Sequence, residues 1–206
     1  MTAIRRRGER LEHAILDAAW QILTEVGYTK LTFEAVAALA GTSRPVVNRR
    51  WPTRAELALA AMDRAAPPDA EPPDTGSLRS DLVALLRQAT HGFGTVRGEV
   101  LAGLVAETAR DPDATAALHA WIARSTSEDK VAAIIARAAD RGEIHAVDLP
   151  ARVLRLPFDL MRNEAVVYGR PAVDDAIAPI VDDIVLPLVR QLTTRAEGDP
   201  AAVRSL

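Results

Sequence analysis

The sequence predicts an all-α protein in two parts: an N-terminal three-helix, helix-turn-helix domain over residues 1–56 and a larger C-terminal helical domain over residues 57–206. Three observations carry this. Hydrophobic residues make up 49% of the chain and aromatics only 4%; they recur at helical spacing, with no run of alternating β-branched residues bounded by turn signals. The stretch 31–51, LTFEAVAALAGTSRPVVNRRW, reads as a short helix, a glycine turn and a second short helix with a basic end. The stretch 65–76, AAPPDAEPPDTG, has four prolines and no periodicity, and reads as a surface loop.

Taken in order, Arg5, Arg6 and Arg7 precede a helix expected over residues 9–26, where Leu11, Ile15, Ala18, Ile22 and Val26 form one stripe and Gly27 takes the C-cap position. The arginine run reads either as a solvated terminus or as an arm for phosphate or the minor groove. Thr32 is a good N-cap for a helix over 33–40 whose small apolar face is Phe33, Val36, Ala37 and Ala40. The amides of that helix start, with Thr32 and Lys30 beside them, suit a phosphate. Gly41 turns the chain, Thr42 or Ser43 caps the next helix, and Pro45 falls in its first turn, where a missing N–H costs nothing. Val47 and Trp51, four apart, should pack inward, which leaves Arg44, Pro45, Val46, Asn48 and Arg50 outward. Thr53 and Glu56 form a capping box for a helix to about residue 64.

Ser77 opens the larger domain, with Leu78, Leu82, Leu85, Leu86 and Ala89 in helical register. A helix over about 95–109 carries Val96, Val100, Leu104 and Val105. The pair Asp111-Pro112 ends it and starts another through Leu118, Trp121 and Ile122. Ser127 is expected to cap a helix carrying Val131, Ile134, Ile135 and Ala138, which stops near Gly142. Two helices remain, over about 149–168 and 173–195. In the last, Ile177, Ile180, Val181, Ile184, Val185, Leu188, Val189 and Leu192 cover more than one face, an excess of apolar surface that asks for a partner. Pro157, Pro179 and Pro187 should bend these segments or shift their ends.

The whole chain carries −3, but residues 1–54 hold nine Lys and Arg against five acids, a local +4 on an otherwise acidic body. That distribution suits a protein that touches phosphate with one part only. The absence of cysteine excludes a disulfide framework and thiolate chemistry and fits a reducing cytosol. The basic first ten residues lack an apolar core behind them, and no uncharged stretch approaches the roughly 18 residues of a membrane helix. A cytoplasmic protein without a membrane partner is therefore expected. His13, His91, His119 and His145 are scattered and make no zinc pair; no phosphate loop, dinucleotide fingerprint or nucleophile elbow is present, and His91-Gly92-Phe93-Gly94 reads as a break between helices. No catalytic residue, metal site or cofactor is expected.

Residues 15–57, ILDAAWQILTEVGYTKLTFEAVAALAGTSRPVVNRRWPTRAEL, resemble the N-terminal DNA-binding domain of the TetR family of transcriptional repressors. The matching elements are Ala18-Ala19, the G-Y-x-x-L-T-x-x-x-V-A-x-x-A-G-x-S run from Gly27 to Ser43, and the closure Trp51-Pro52-Thr53-Arg54-x-x-Leu57. The resemblance places base contacts on Arg44, Pro45, Val46, Asn48 and Arg50 and phosphate contacts on Thr32, Ser43 and Arg54, with Arg49 a phosphate contact or surface charge. Asn48 stands where the family usually has tyrosine. Asparagine suits adenine, arginine suits guanine, and Pro45 and Val46 suit a thymine methyl, so an atypical operator is implied.

The resemblance further implies a homodimer closed by the last two helices, through Leu160, Val167, Ile177, Val181, Ile184, Leu188 and Leu192. It also implies a small-molecule effector in the C-terminal ligand-binding and dimerisation domain, with His119, Trp121, Phe158, Met161 and Arg162 as candidate contacts. Met62, His91, Phe93, Leu104, Glu107 and Asn163 form a wider set. The expectation is a repressor bound to a palindromic double-stranded operator and released by that effector. Two alternatives stand beside it: a helical ligand-binding or interaction module without operator binding, and an activator of the same fold.

Overall fold

The computed structural model describes residues 2–66, 71–90, 94–169 and 174–198, with the backbone alone at 2–7, 94, 95, 174 and 195–198. Among the described residues all regular structure is helical: α1 (Thr2–Val26), a 3-10 turn (Tyr28–Lys30), α2 (Phe33–Leu39), α3 (Arg44–Arg50), α4 (Arg54–Ala65), α5 (Leu78–Thr90), α6 (Gly94–Thr108), α7 (Pro112–Ala123), α8 (Ser127–Asp140), α9 (Ala151–Val167), α10 (Asp174–Pro179) and α11 (Leu186–Gly198). A π-helical stretch, Ile180–Val185, joins the last two. The expected His91, Gly92 and Phe93 break and the expected helix start at Val173 lie outside the described residues.

The chain packs as two compact units, Met1–Asp69 with Thr95–Arg124, and Ala70–Gly94 with Ser125–Leu206. Packing does not follow the segmentation expected at 56/57. Helix α4 runs unbroken across that point, and α6 and α7 fold with the head. Periodicity marks an apolar face but not which element covers it.

In the first unit α1 packs on α2 and α4, α2 on α3, and α4 on α7. Ile15, Leu23, Leu31, Val36, Val47, Leu57 and Met62 form its interior with Val100 and Leu104 of α6, each worth about 1.5–3 kcal/mol on burial. Helix α1 starts at Thr2, so Arg5, Arg6 and Arg7 have helical backbone and are not an arm preceding the helix. Val26, expected on the buried stripe, is 58% exposed, because the helix ends there and Gly27 turns the chain at φ 83°.

In the second unit α5 packs on α8, α8 on α9, and the α10 to α11 path closes the group. Leu82, Leu86, Ile134, Ile177 and Val181 are among its fully enclosed side chains. Helix α8 begins at Ser127 itself, so the N-cap is Thr126 and not the expected Ser127, and it makes no side-chain capping bond. Residues 71–74 have no regular structure, and Arg137 holds them by donating to the Pro72 and Pro73 carbonyls at 3.2 and 2.5 Å.

The three prolines act differently. Helix α9 continues through Pro157, whereas Pro179 and Pro187 bracket the π-helical stretch, in which the Leu186 N–H bonds the Val181 carbonyl five residues back. Pro187 has no N–H for a regular i−4 bond, and the wider winding accommodates that loss. The same winding brings Ile180 with Val185, and Val181 with Leu186, onto the covered side, all at most 6% exposed. The excess apolar surface is therefore largely absorbed by the chain itself. Of the residues expected at a dimer interface, Ile177, Val181 and Leu192 are buried in this core at 1%, 0% and 2%, and Leu160 and Leu188 pack partly against it. Val167 and Ile184 remain exposed, with Tyr168 beside Val167.

Candidate nucleic-acid interface

The geometry begins with two short helices and the turn between them. Thr32 caps α2, its Oγ1 accepting from the Ala35 N–H at 3.2 Å. Gly41 takes φ 63°, a left-handed conformation that a side chain would strain, and the Thr42 N–H closes back on the Ala37 carbonyl at 2.9 Å. Ser43 is the N-cap of α3 through its backbone, and its hydroxyl makes no capping bond. Pro45 follows in the first turn. Val47 is fully buried and pins α3 to the unit, while Trp51 is half-buried. Opposite Val47, Arg44, Pro45, Asn48 and Arg49 are exposed, and Val46 and Arg50 are half-buried. Thr53 and Glu56 complete both bonds of the capping box, at 3.1 and 3.0 Å, which sets Arg54 at the first position of α4. A depression of about 190 Å³ lies beside the start of α2, lined by Leu31, Thr32, Phe33, Glu34, Arg54 and Leu57.

The guanidinium groups do not all stand free. Arg44 pairs with Glu34 at 2.9 Å, both well exposed. Arg50 turns back to α1, donating to Glu12 Oε2 at 2.6 Å and to the Gly8 carbonyl at 3.4 Å. Arg54 is held at two points by Glu107 of α6, 2.6 and 3.2 Å to Oε2, and its guanidinium lies 4.7 Å over the Tyr28 ring. The Tyr28 hydroxyl donates to the same Glu107 oxygen. Burial first, and Glu107 second, push the Tyr28 phenol well above its usual range. Gly103, one turn before Glu107, lets this ring lie on α6: a Cβ there would stand 2.7 Å from Tyr28 Cδ1. Arg50 and Arg54, expected on a base edge and a phosphate, thus bond within their own unit in this structure. No spacing rule links residue 12 with 50 or 54 with 107. Glu107, placed by sequence among pocket candidates, is the partner of Arg54 and Tyr28.

The candidate effector residues divide between the two units. In the first, His119 is exposed, and Trp121 donates to Asp63 at 2.6 Å with Arg97 lying 5.3 Å over its ring. In the second, Met161 belongs to the core, Phe158 packs on it, and Arg162 pairs with Asp159 at 2.9 Å. Of the wider set, Met62 and Leu104 are core residues and Asn163 is exposed. Among the described residues no cluster of His, Asp or Glu is placed to hold a metal ion, and no helix is long and apolar enough to cross a membrane.

A short capped helix, a left-handed glycine and a second helix pinned by one buried valine, with cationic and amide side chains outward, form a helix-turn-helix; this is the architecture of a DNA-binding regulator. The family model for bacterial regulatory proteins of the tetR family matches residues 15–61, and one described as tetracyclin repressor-like, C-terminal domain, matches residues 72–184. The chain belongs to the TetR family of DNA-binding transcriptional regulators. The HTH-type transcriptional regulator Rv1556 of Mycobacterium tuberculosis is 33% identical to it over 171 residues, covering 82% of this chain and 83% of that protein. The DNA-binding transcriptional repressor TetR of Mycobacteroides abscessus is 31% identical over 185 residues, 89% of this chain and 96% of that one. The crystal structure of the TetR family transcription regulator SCO0332 has the same fold, with a TM-score of 0.64 at 24% identity over 85% of this chain and 96% of its own.

Proposed function

We propose that this regulator is a repressor that binds a palindromic double-stranded operator as a homodimer and leaves it when a small molecule binds. The observation that carries the reading is the outward face of α3, where Arg44, Pro45, Asn48 and Arg49 stand exposed while Val47 anchors the helix from behind. Seven residues make a helix about 10 Å long, enough to follow about three base pairs. Asn48 suits an adenine edge, the arginines a guanine or a phosphate, and Pro45 and Val46 a thymine methyl. Thr32 and Ser43 offer hydroxyls to the backbone phosphates on either side. Two such heads on a two-fold axis would read half-sites about 34–36 Å apart. Exposed Val167, Tyr168 and Ile184, flanked by partly covered Leu160 and Leu188, support a self-association face on the second unit. The match to a tetracyclin repressor-like C-terminal model supports an effector seat within residues 72–184.

Footprinting on the DNA upstream of the protein's own gene, with light scattering for mass, tests the proposal. A protected palindrome with half-sites one helical turn apart and a dimeric mass are expected. Absence of any specific complex at moderate salt would sink it. Transcription of the adjoining genes should rise on deletion; a fall identifies an activator.

A further inference from the structure

Three arginines stand on the α3 helix, and the chain's own carboxylates engage them unequally. Arg49 is exposed and has no ion-pair partner among the described residues. Arg44 pairs with Glu34, but the two side chains are 63% and 61% exposed, and a pair that open yields readily to a competing partner. Arg50 is held more closely. Its side chain is 28% exposed, one terminal nitrogen lies 2.6 Å from Glu12 Oε2, and the other reaches the Gly8 carbonyl at 3.4 Å.

We propose that Glu12 is a specificity-determining residue: it holds Arg50 along α1 and out of the major groove, so that base reading falls to Arg44 and Asn48. This rests on the reading of α3 as the helix that enters the groove. A guanine contact requires two guanidinium N–H groups presented side by side to O6 and N7. Arg50 has one terminal nitrogen on Glu12 and the other on Gly8, so both ends of the guanidinium are tied to α1, and turning it end-on to a base means leaving both. Leaving also strands the Glu12 carboxylate beside the phosphate backbone, where like charges repel. Glu12→Gln keeps the size of the side chain and removes that charge, which weakens the hold on Arg50 and lets its cation turn to the DNA.

Selection from a randomised duplex library, run with the wild type, Glu12→Gln, Arg50→Met and the double variant, tests this, with melting curves to establish that each is folded. Wild type and Arg50→Met should enrich the same half-site and bind it within about threefold of each other. Glu12→Gln should add a guanine preference of about tenfold in each half-site and steepen the salt dependence by about one unit per protomer. The double variant should return to the Arg50→Met pattern. A wild-type guanine preference lost in Arg50→Met overturns the proposal, as does a Glu12→Gln consensus and salt slope equal to those of wild type. If Glu12→Gln does not fold, the Arg50→Met comparison decides alone. Failure of the wild type to enrich any sequence overturns the reading of α3 itself, and this inference with it.

Discussion

Replacing Asp81 by asparagine removes one charge from a side chain with no exposed surface at the start of α5. Its Oδ1 accepts from the Thr75 N–H at 2.5 Å and the Thr75 hydroxyl at 2.7 Å, and its Oδ2 accepts from Arg141 at 2.9 Å. Burial pushes the carboxyl pKa up, but the Thr75 donors and the Arg141 guanidinium outweigh it and hold the group below its ordinary value. A folded pKa below the unfolded one means a contribution fully present above the unfolded pKa and lost as pH falls through the folded one. Asparagine keeps the shape and can still accept from Thr75, but it turns an amide N–H toward Arg141. Hydrogen bonds to charged groups contribute about 1.5–3 kcal/mol each. Arg141 retains Glu143 at 2.7 Å and Asp74 at 3.2 Å, so the net loss at pH 7 should be about 2–3 kcal/mol, or roughly 5–10 °C in Tm for a chain of this length.

Thermal unfolding followed by circular dichroism, at one protein concentration and at pH 7 and pH 3, measures this. The gap between wild type and Asp81→Asn should be open at pH 7 and narrow toward pH 3, as the unfolded chain takes up the proton that the folded carboxyl resists. Glu143 adds to the acid loss with the same sign, since the bond from the Leu78 N–H at 2.8 Å, and then Arg141, hold its carboxyl below the usual range against burial. A gap under about 0.5 kcal/mol at pH 7, the ordinary scatter of surface substitutions, refutes the reasoning. So does a gap that widens toward acid.

Gly103→Ala places a Cβ 2.7 Å from Tyr28 Cδ1; overpacking of about 1–3 kcal/mol exceeds the helix gain of about 1 kcal/mol, so urea unfolding should show a net loss, and a smaller one in a Tyr28→Leu background. Thr53→Ala breaks the capping bond to the Glu56 N–H and should cost about 1 kcal/mol by the same assay, whereas Thr53→Ser stays near wild type. Arg49→Ala should leave stability within about 0.5 kcal/mol, weaken binding about equally on all duplexes and lower the salt slope by about one per protomer. A sequence-selective loss in gel shifts would instead make Arg49 a base reader.

The helix-turn-helix was legible because its signals are local. Thr32 and the Ala35 N–H, Gly41 and its positive φ, and Thr53 with Glu56 all lie within one turn of each other, where sequence spacing is spatial spacing. The outward face of α3 followed from Val47 by helical periodicity alone. The ends of long side chains did not. Arg50 and Arg54 reach several ångströms to carboxylates on α1 and α6, and no local rule names those partners. Charge also misled at Arg5, Arg6 and Arg7: arginine is a good helix former, and reading the run as an arm gave its charge more weight than its propensity. The final helical path failed differently. Its apolar excess was visible, but a wheel drawn at regular α-helical winding misplaces the faces once the π stretch follows Pro179, so Val181 and Leu192, which belong to the chain's own core, read as surface for a partner.

The Tyr28 cluster gives the packing of α6 with the head an electrostatic reason as well as an apolar one. The capping box fixes Arg54 as the first residue of α4, so a full positive charge sits at the positive end of a helix dipole. Such a position calls for an anion. The family resemblance assigns that anion to a DNA phosphate, but here α6 supplies one from the chain itself, the Glu107 carboxylate at 2.6 Å. Glu107 is placed to do so because Gly103, one turn earlier, allows the Tyr28 ring to lie flush on α6, and the ring in turn supports the guanidinium from below. Remove α6, and a tyrosine 5% exposed would face water while Arg54 lost its counter-charge. The helix-turn-helix and α6 are therefore one folding unit, and the boundary of that unit is set by where Arg54 finds its anion.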